Sequence, residues 1–219
     1  MSSTPRDRAR GRSGSSDSSS VILRLGGERR DEIVDTLVEA FMDYPAMRFM
    51  VDDGTDAYER RLRALIGLYA DARLERGAPV LGIEVADTLA AIALVDEPSR
   101  PPLPIERDRS SEDVRATLDD EAWRRMEAFE TAVADLEPDE PHHYVGMIGV
   151  RDRHRRTGLA RRLLEEITRM SVEDNGSRAV ILSTETPENL PFYEHFGFEV
   201  VGDAWVEDLH SWTLRLCTS

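Results

Sequence analysis

The 219-residue chain contains no lysine and no glutamine, and Cys217 is its one cysteine. A phosphate-binding loop ending in Gly-Lys-Ser/Thr is therefore excluded, and every fixed positive side chain is an arginine. A single cysteine excludes an intrachain disulfide. No His/Cys cluster has the spacing of a zinc site, and His142, His143, His154, His195 and His210 form no metal pattern, so no metal is expected. No Gly-x-Gly-x-x-Gly follows a strand, which removes a dinucleotide-binding fingerprint. No apolar run approaches the roughly 20 residues of a membrane helix, and no apolar segment precedes a small-residue cleavage site at the N-terminus. No membrane partner is expected, and a cytoplasmic location follows by default.

Acidity is what the chain has in excess. Its formal net charge is −15 and its sequence pI about 4.8. Such a surface repels nucleic acid and anionic lipid, so no nucleic-acid partner is expected, even through the arginine run Arg151–Arg162. The acidity reads as the surface of a salt-adapted or GC-rich proteome before it reads as a lure for a cationic substrate. Hydrophobic residues make up 40% and charged residues 32%, enough apolar material for one core.

Residues 1–20 are Ser, Arg and Gly with almost nothing apolar, and cannot offset their ordering entropy by burial. They read as a disordered tail, with Arg6, Arg8, Arg10 and Arg12 solvated rather than forming an anion patch. Residues 21–219 read as a single domain. Val21–Leu25 is a short strand. Helical periodicity covers Glu28–Met42, ended by Tyr44-Pro45, and Asp56–Arg76, closed by Gly77. Val80–Val85 and Leu89–Val95 read as a hairpin. A Pro- and Ser-rich loop over 97–111 leads to one amphipathic helix over Asp113–Leu136. His143–Val150 reads as a central strand, Gly158–Asp174 as a helix and Arg178–Ser183 as a buried strand. Asn189–Phe196 is a short helix, and Glu199–Val201 and Ser211–Leu216 close the chain as strands.

The chemistry concentrates in the unit strand, Arg-Asp-Arg-His-Arg-Arg-Thr-Gly-Leu-Ala, helix. Small residues opening a helix turn unpaired backbone N–H groups toward one point, where the helix dipole adds positive potential. That is a cradle for a pyrophosphate. Gly158 admits close approach, Ala160 avoids a clash, and Arg155, Arg156 and Arg161 add cationic reach. A second β-α unit follows and ends in Asn189-Leu190-Pro191-Phe192-Tyr193-Glu194-His195-Phe196-Gly197-Phe198. Phe192, Phe196 and Phe198 read as core, and Gly197 as a left-handed helix end.

Met147-Ile148-Gly149-Val150, Arg155-x-x-Gly158-x-Ala160 and Asn189-x-x-Phe192-Tyr193-x-x-x-Gly197-Phe198, in this order and spacing, resemble the GNAT superfamily of acyl-CoA-dependent N-acyltransferases. The resemblance is firm over 142–202 and rests on element order over 20–96. Ala160 stands where many relatives have glycine. The resemblance implies an α/β (α+β) fold with a mixed, mostly antiparallel sheet of about six to seven strands flanked by helices. Its two central parallel strands splay at their C-terminal ends. It implies acetyl-CoA as cosubstrate. The pantetheine arm would pair with Ile148, Gly149 and Val150, and the pyrophosphate would sit on Arg156, Thr157, Gly158, Leu159, Ala160 and Arg161, beside Arg155. It implies that Asn189 contacts the arm, that Tyr193 protonates the leaving thiolate, and that the amine attacks directly in a ternary complex. A phenol facing the cleft suits that acid role on chemical grounds as well.

Glu185, Glu84 and His143 are the candidates for a general base. None is selected by the sequence, and each reads first as an ordinary surface residue. The acceptor is a small-molecule or peptide amine, whose site falls around 41–53 and 97–140, segments without a motif. Asp43, Asp52 and Asp53 read there as a solvated acidic loop. A CoA-binding regulatory or sensor module with little transfer activity is the alternative function. A homodimer is compatible with the sequence and is not specified by it.

Overall fold

The computed structural model describes residues 21–51, 54, 56–101 and 111–218. The expected tail over 1–20, together with Asp52 and Asp53, lies outside the described residues.

Seven strands form one sheet: β1 (Ile22–Arg24), β2 (Val80–Val85), β3 (Thr88–Asp96), β4 (His142–Val150), β5 (Ala179–Thr184), β6 (Glu199–Val206) and β7 (Leu209–Cys217). Their order is β1-β2-β3-β4-β5-β7-β6. Every neighbouring pair is antiparallel except β4 and β5, which run parallel. The expected sheet is thus observed, with the parallel pair at its centre. The helices are α1 (Arg30–Phe41), α2 (Pro45–Val51), α3 (Tyr58–Glu75), α4 (Glu112–Thr117), α5 (Asp120–Ala134), α6 (Leu159–Glu173) and α7 (Leu190–His195).

The period of two in β3 divides the core. Ile92 and Leu94 face a cluster with Ile33 and Leu37 of α1, Leu62, Leu65 and Ile66 of α3, and Trp123 of α5. Ala91, Ala93 and Val95 face the opposite cluster, where α6 lays down Leu163, Leu164 and Ile167 against Val180 and Leu182 of β5. Those three side chains of α6 are fully buried. Each contributes roughly 1.5–3 kcal/mol by leaving water. They hold the start of α6 rigidly over the centre of the sheet.

Three segments depart from the sequence expectation. Pro45 ends the preceding helix as expected, but it also opens α2, with Ala46, Met47, Met50 and Val51 buried. Proline suits a first helical position because its missing N–H would be unpaired there. The single helix expected over 113–136 is two. Leu118 is extended at φ −92°, ψ 105°, and the Asp119 carboxylate accepts from Ala122 N at 2.9 Å to start α5 afresh. Strand β6 runs on to Val206 instead of stopping at Val201, because its polar residues belong to an edge with one solvent-facing side. The β2–β3 hairpin forms as expected, turning through Ala86 and Asp87, both at positive φ. That is the pattern of a primed two-residue turn, which matches the strand twist.

Candidate active site

Strands β4 and β5 pair over only four residues, from His142↔Ala179 to Val145↔Leu182. On the other edge of β4, the register with β3 skips Gly146: Val145 faces Val95 and Met147 faces Leu94. An extra residue bends the bulged strand. Beyond it, Met147 to Val150 keep β3 on one edge and have no β5 partner on the other. A Cβ at Gly146 would meet the Arg73 guanidinium, which would have to shift to admit it. The expected splay of the parallel pair therefore begins at a definite residue.

The loop after β4 leads from this opening to α6. Arg156 has φ 63° and Gly158 φ 87°, so two left-handed residues bracket Thr157. Nothing lies within 4 Å of a Cβ built on Gly158. Its positive φ favours glycine, and the open space beside it leaves room for the close approach expected from the sequence. Gly158 is the N-cap of α6 and no side chain caps that end. Among the described residues, no side-chain acceptor bonds the first N–H groups of the helix, at the positive end of its dipole. Arg156, Thr157 and Gly158 are exposed, Leu159 is buried, and Ala160 is half-buried. Arg155 is held by Asp152 at 2.9 Å and donates to Ala40 O at 3.1 Å. Arg161 lies over the Phe196 ring, 5.2 Å from its centroid. Gly149 turns its Cβ direction toward Ala40, Leu37 and Phe41, while Ile148 and Val150 pack toward the α6 side.

Tyr193 is 7% exposed in α7, edge-on to Phe192 and Phe198. Burial, and next the Glu185 carboxyl, push its phenol well above the ordinary tyrosine value, so it stays protonated. Gly197 follows at φ 92°, the expected left-handed helix end. Phe198 is core as expected, but Phe192 is 37% exposed and Phe196 half-buried, because one short helix can bury only part of its ring set. Asn189 donates through Nδ2 to Thr184 Oγ1 at 3.1 Å.

A cavity of about 880 Å³ lies beside β4, β5 and α7. Ile148, Leu182, Ser183, Glu185 and Tyr193 line it from the sheet and α7, and Phe41, Tyr44, Met47, Met50 and Trp123 from the helical side. Described residues within 41–51 and 120–137, parts of the segments 41–53 and 97–140 expected around the acceptor, contribute much of that wall. Its far end is polar. Asp96 is 1% exposed and bonds both Arg73, at 2.6 Å, and Arg76. Burial pushes the Glu130 carboxyl up against the opposing hydrogen bond from Tyr69.

The three candidate bases separate cleanly. Glu84 pairs with Arg29 at 2.8 Å on the β2 side, away from the cavity lining. His143 is 1% exposed and faces Ser177 at 3.1 Å, also outside the lining. Glu185, read from the sequence as surface, is 7% exposed and lines the cavity. Its position one residue past β5 was visible in the sequence, but its burial depends on Tyr44 and Ser211, which come from distant segments. Asp43 is exposed and bonds Arg48. Among the described residues, no group of His, Cys, Asp and Glu could hold a metal ion, and no helix is long and apolar enough to cross a membrane.

This geometry has counterparts. Residues 131–213 match the family model described as "Acetyltransferase (GNAT) domain". The fold is similar to that of a histone acetyltransferase HPA2-related acetyltransferase from Corynebacterium glutamicum, with TM-score 0.64 and 20% identity over 90% of this chain and 94% of that one. It is also similar to a polyamine N-acetyltransferase from Drosophila melanogaster, with TM-score 0.61 and 12% identity over 90% and 99%. A third likeness is to arylalkylamine N-acetyltransferase 2 from Aedes aegypti, with TM-score 0.61 and 12% identity over 92% and 100%. At these identities the likenesses establish the fold. The parted parallel strands lie inside residues 131–213, the segment that matches the GNAT acetyltransferase domain model.

Proposed function

We propose that the protein transfers an acetyl group from acetyl-CoA to a small amine, by direct attack in a ternary complex. The observation that carries this is the parting of β4 from β5 at Val145, with the uncapped start of α6 beyond that opening and Tyr193 in the cavity wall.

The residues present fit acetyl-CoA, whose chemical contribution is an activated thioester. The free edge of Ile148, Gly149 and Val150 offers backbone groups to an amide-bearing arm. The N–H groups of Arg156, Thr157, Gly158, Leu159, Ala160 and Arg161 receive the pyrophosphate, with Arg155 alongside. Asn189, whose Nδ2 is engaged by Thr184, turns its Oδ1 to the arm. Tyr193 donates its proton to the departing sulfur, a role its raised pKa suits because the acid remains loaded. The acceptor occupies the cavity. Its aromatic and methionine wall suits an apolar body, and its buried carboxyls suit an ammonium group. This supports an amine of the general size used by the polyamine and arylalkylamine enzymes of the same fold.

Free-thiol release from acetyl-CoA, measured with phenethylamine, tyramine, putrescine and agmatine, tests the proposal. Amine-dependent release with a matching yield of amide is the expected result. Acetyl-CoA binding without release for any amine would instead support a regulatory or sensor module. Binding itself should appear as added stability of about 2.7 kcal/mol at 100 times the dissociation constant.

A further inference from the structure

One of the buried carboxyls that suit an ammonium group stands beside the proton donor Tyr193 in the cavity wall. Glu185 sits one residue beyond β5, is 7% exposed, and lines the same cavity as Tyr193 and Ile148. Ser211 of β7 donates to its Oε1 at 2.6 Å. Tyr44, from the turn between α1 and α2, accepts from the Glu185 backbone N–H at 3.2 Å and meets Thr184 Oγ1 at 3.2 Å. Tyr144 of β4 and Tyr193 of α7 are the further titratable groups that feel its charge. Among the described residues, no arginine or histidine forms an ion pair or hydrogen bond with it. A buried carboxylate without a cation is costly unless something supplies one. Aromatic rings and one carboxyl group around a cavity form a receptacle for an ammonium group.

We propose that Glu185 is the base that receives the acceptor amine and takes its proton. The inference rests on the transferase reading. The ammonium group first loses one proton through the Glu185 carboxylate to solvent; the neutral amine nitrogen then bonds to the thioester carbon while its N–H proton passes to the same carboxylate. The C–S bond breaks, and Tyr193 protonates the sulfur. The proton on Glu185 then restores the Tyr193 phenolate to a phenol through solvent in the cavity. Over one turnover, ammonium and acetyl-CoA become amide, free thiol and one proton released to solvent, and both side chains return to their starting states. Burial supports this role independently, because it pushes the Glu185 carboxyl above the ordinary range and makes its carboxylate a stronger base, while Ser211 and Tyr44 limit the rise.

The test compares a basic amine of the panel that the wild type turns over with weakly basic 2,2,2-trifluoroethylamine. The latter arrives uncharged near neutrality and sheds its proton readily once attached, so it depends less on a protein base. Glu185→Gln keeps the shape and an acceptor for Ser211. It should lose about 10²- to 10⁴-fold in kcat/KM with the basic amine. The loss should stay under about tenfold with trifluoroethylamine, with acetyl-CoA binding unchanged, and Glu185→Asp should recover at least about tenfold of it, since a carboxylate is restored. Equal losses with both amines would show a packing role and overturn the proposal, as would a change within about twofold. If Glu185→Gln does not fold, Glu185→Asp decides on the same two amines: an uneven loss supports the base and an even loss overturns it. A wild type that binds acetyl-CoA but releases thiol with no amine overturns the transferase reading and this inference with it. A wild type that turns over with an unselective Glu185→Gln overturns the inference alone.

Discussion

Residues 142–198 build their side of the cleft from backbone, whereas residues 41–137 build theirs from side chains. On the first side the determining features are a strand edge freed at Gly146, a left-handed Gly158 and a helix start without a side-chain cap. On the second side they are Phe41, Met47, Met50, Trp123, Glu130 and the Arg73–Asp96–Arg76 group, drawn from five elements. On the proposed function, the backbone side would bind what is common to every acyl-CoA, and the side-chain side could change acceptor without disturbing it. The boundary between the two is the line from Ile148 to Tyr193 and Glu185, where the chemistry would take place.

The comparison predicts different kinds of loss on the two sides. The largest should come at the boundary. Tyr193→Phe keeps the ring packing and removes one proton donor, so turnover should fall about 10²- to 10⁴-fold while acetyl-CoA affinity and melting temperature stay near wild type. Steady-state kinetics beside a thermal melt checks this, and turnover within about twofold would make Tyr193 a packing residue.

The next loss belongs to the side-chain half and should appear in stability. Asp96→Ala leaves Arg73 and Arg76 buried against each other without their shared carboxylate. Breaking a buried pair in this way costs about 3–5 kcal/mol. Chemical denaturation should show it as a lower midpoint at unchanged slope.

A smaller effect, of opposite sign, should come from Glu130→Gln. The folded state raises this carboxyl above its unfolded value. Its stabilising contribution is therefore complete below the unfolded pKa and is lost as pH rises through the folded one. Removing the charge should raise the melting temperature at neutral pH and have less effect in acid. Melting curves across pH 4–8 check the sign, and a variant less stable at neutral pH would show that the carboxylate has a cation partner.

The same division explains what could be read from the chain. Backbone devices leave short local marks: Arg155-x-x-Gly158-x-Ala160 and Phe192-Tyr193-x-x-x-Gly197-Phe198 lie within single β-α units, and the helices α6 and α7 form where these runs predict them. The acceptor wall left no mark. Helix α2 was hidden behind Pro45, which ends one helix and starts another. The break at Leu118-Asp119 interrupts a pattern whose apolar positions continue on both sides of it. Glu185 looked like surface because its burial is made by Tyr44, 141 residues away in sequence, and by Ser211. Contacts of that range carry no local periodicity.

The central claim is that the start of α6 holds the pyrophosphate of acetyl-CoA through backbone N–H groups. Titration calorimetry with acetyl-CoA on the wild type, Gly158→Asn and Gly158→Asp tests it most directly. Both variants carry the same strain at φ 87° and nearly the same side-chain shape, so their difference isolates one negative charge. The account predicts saturable binding by the wild type, weakened but measurable binding by Gly158→Asn, and none by Gly158→Asp. Equal affinity in the Asn and Asp variants, both folded, would contradict it.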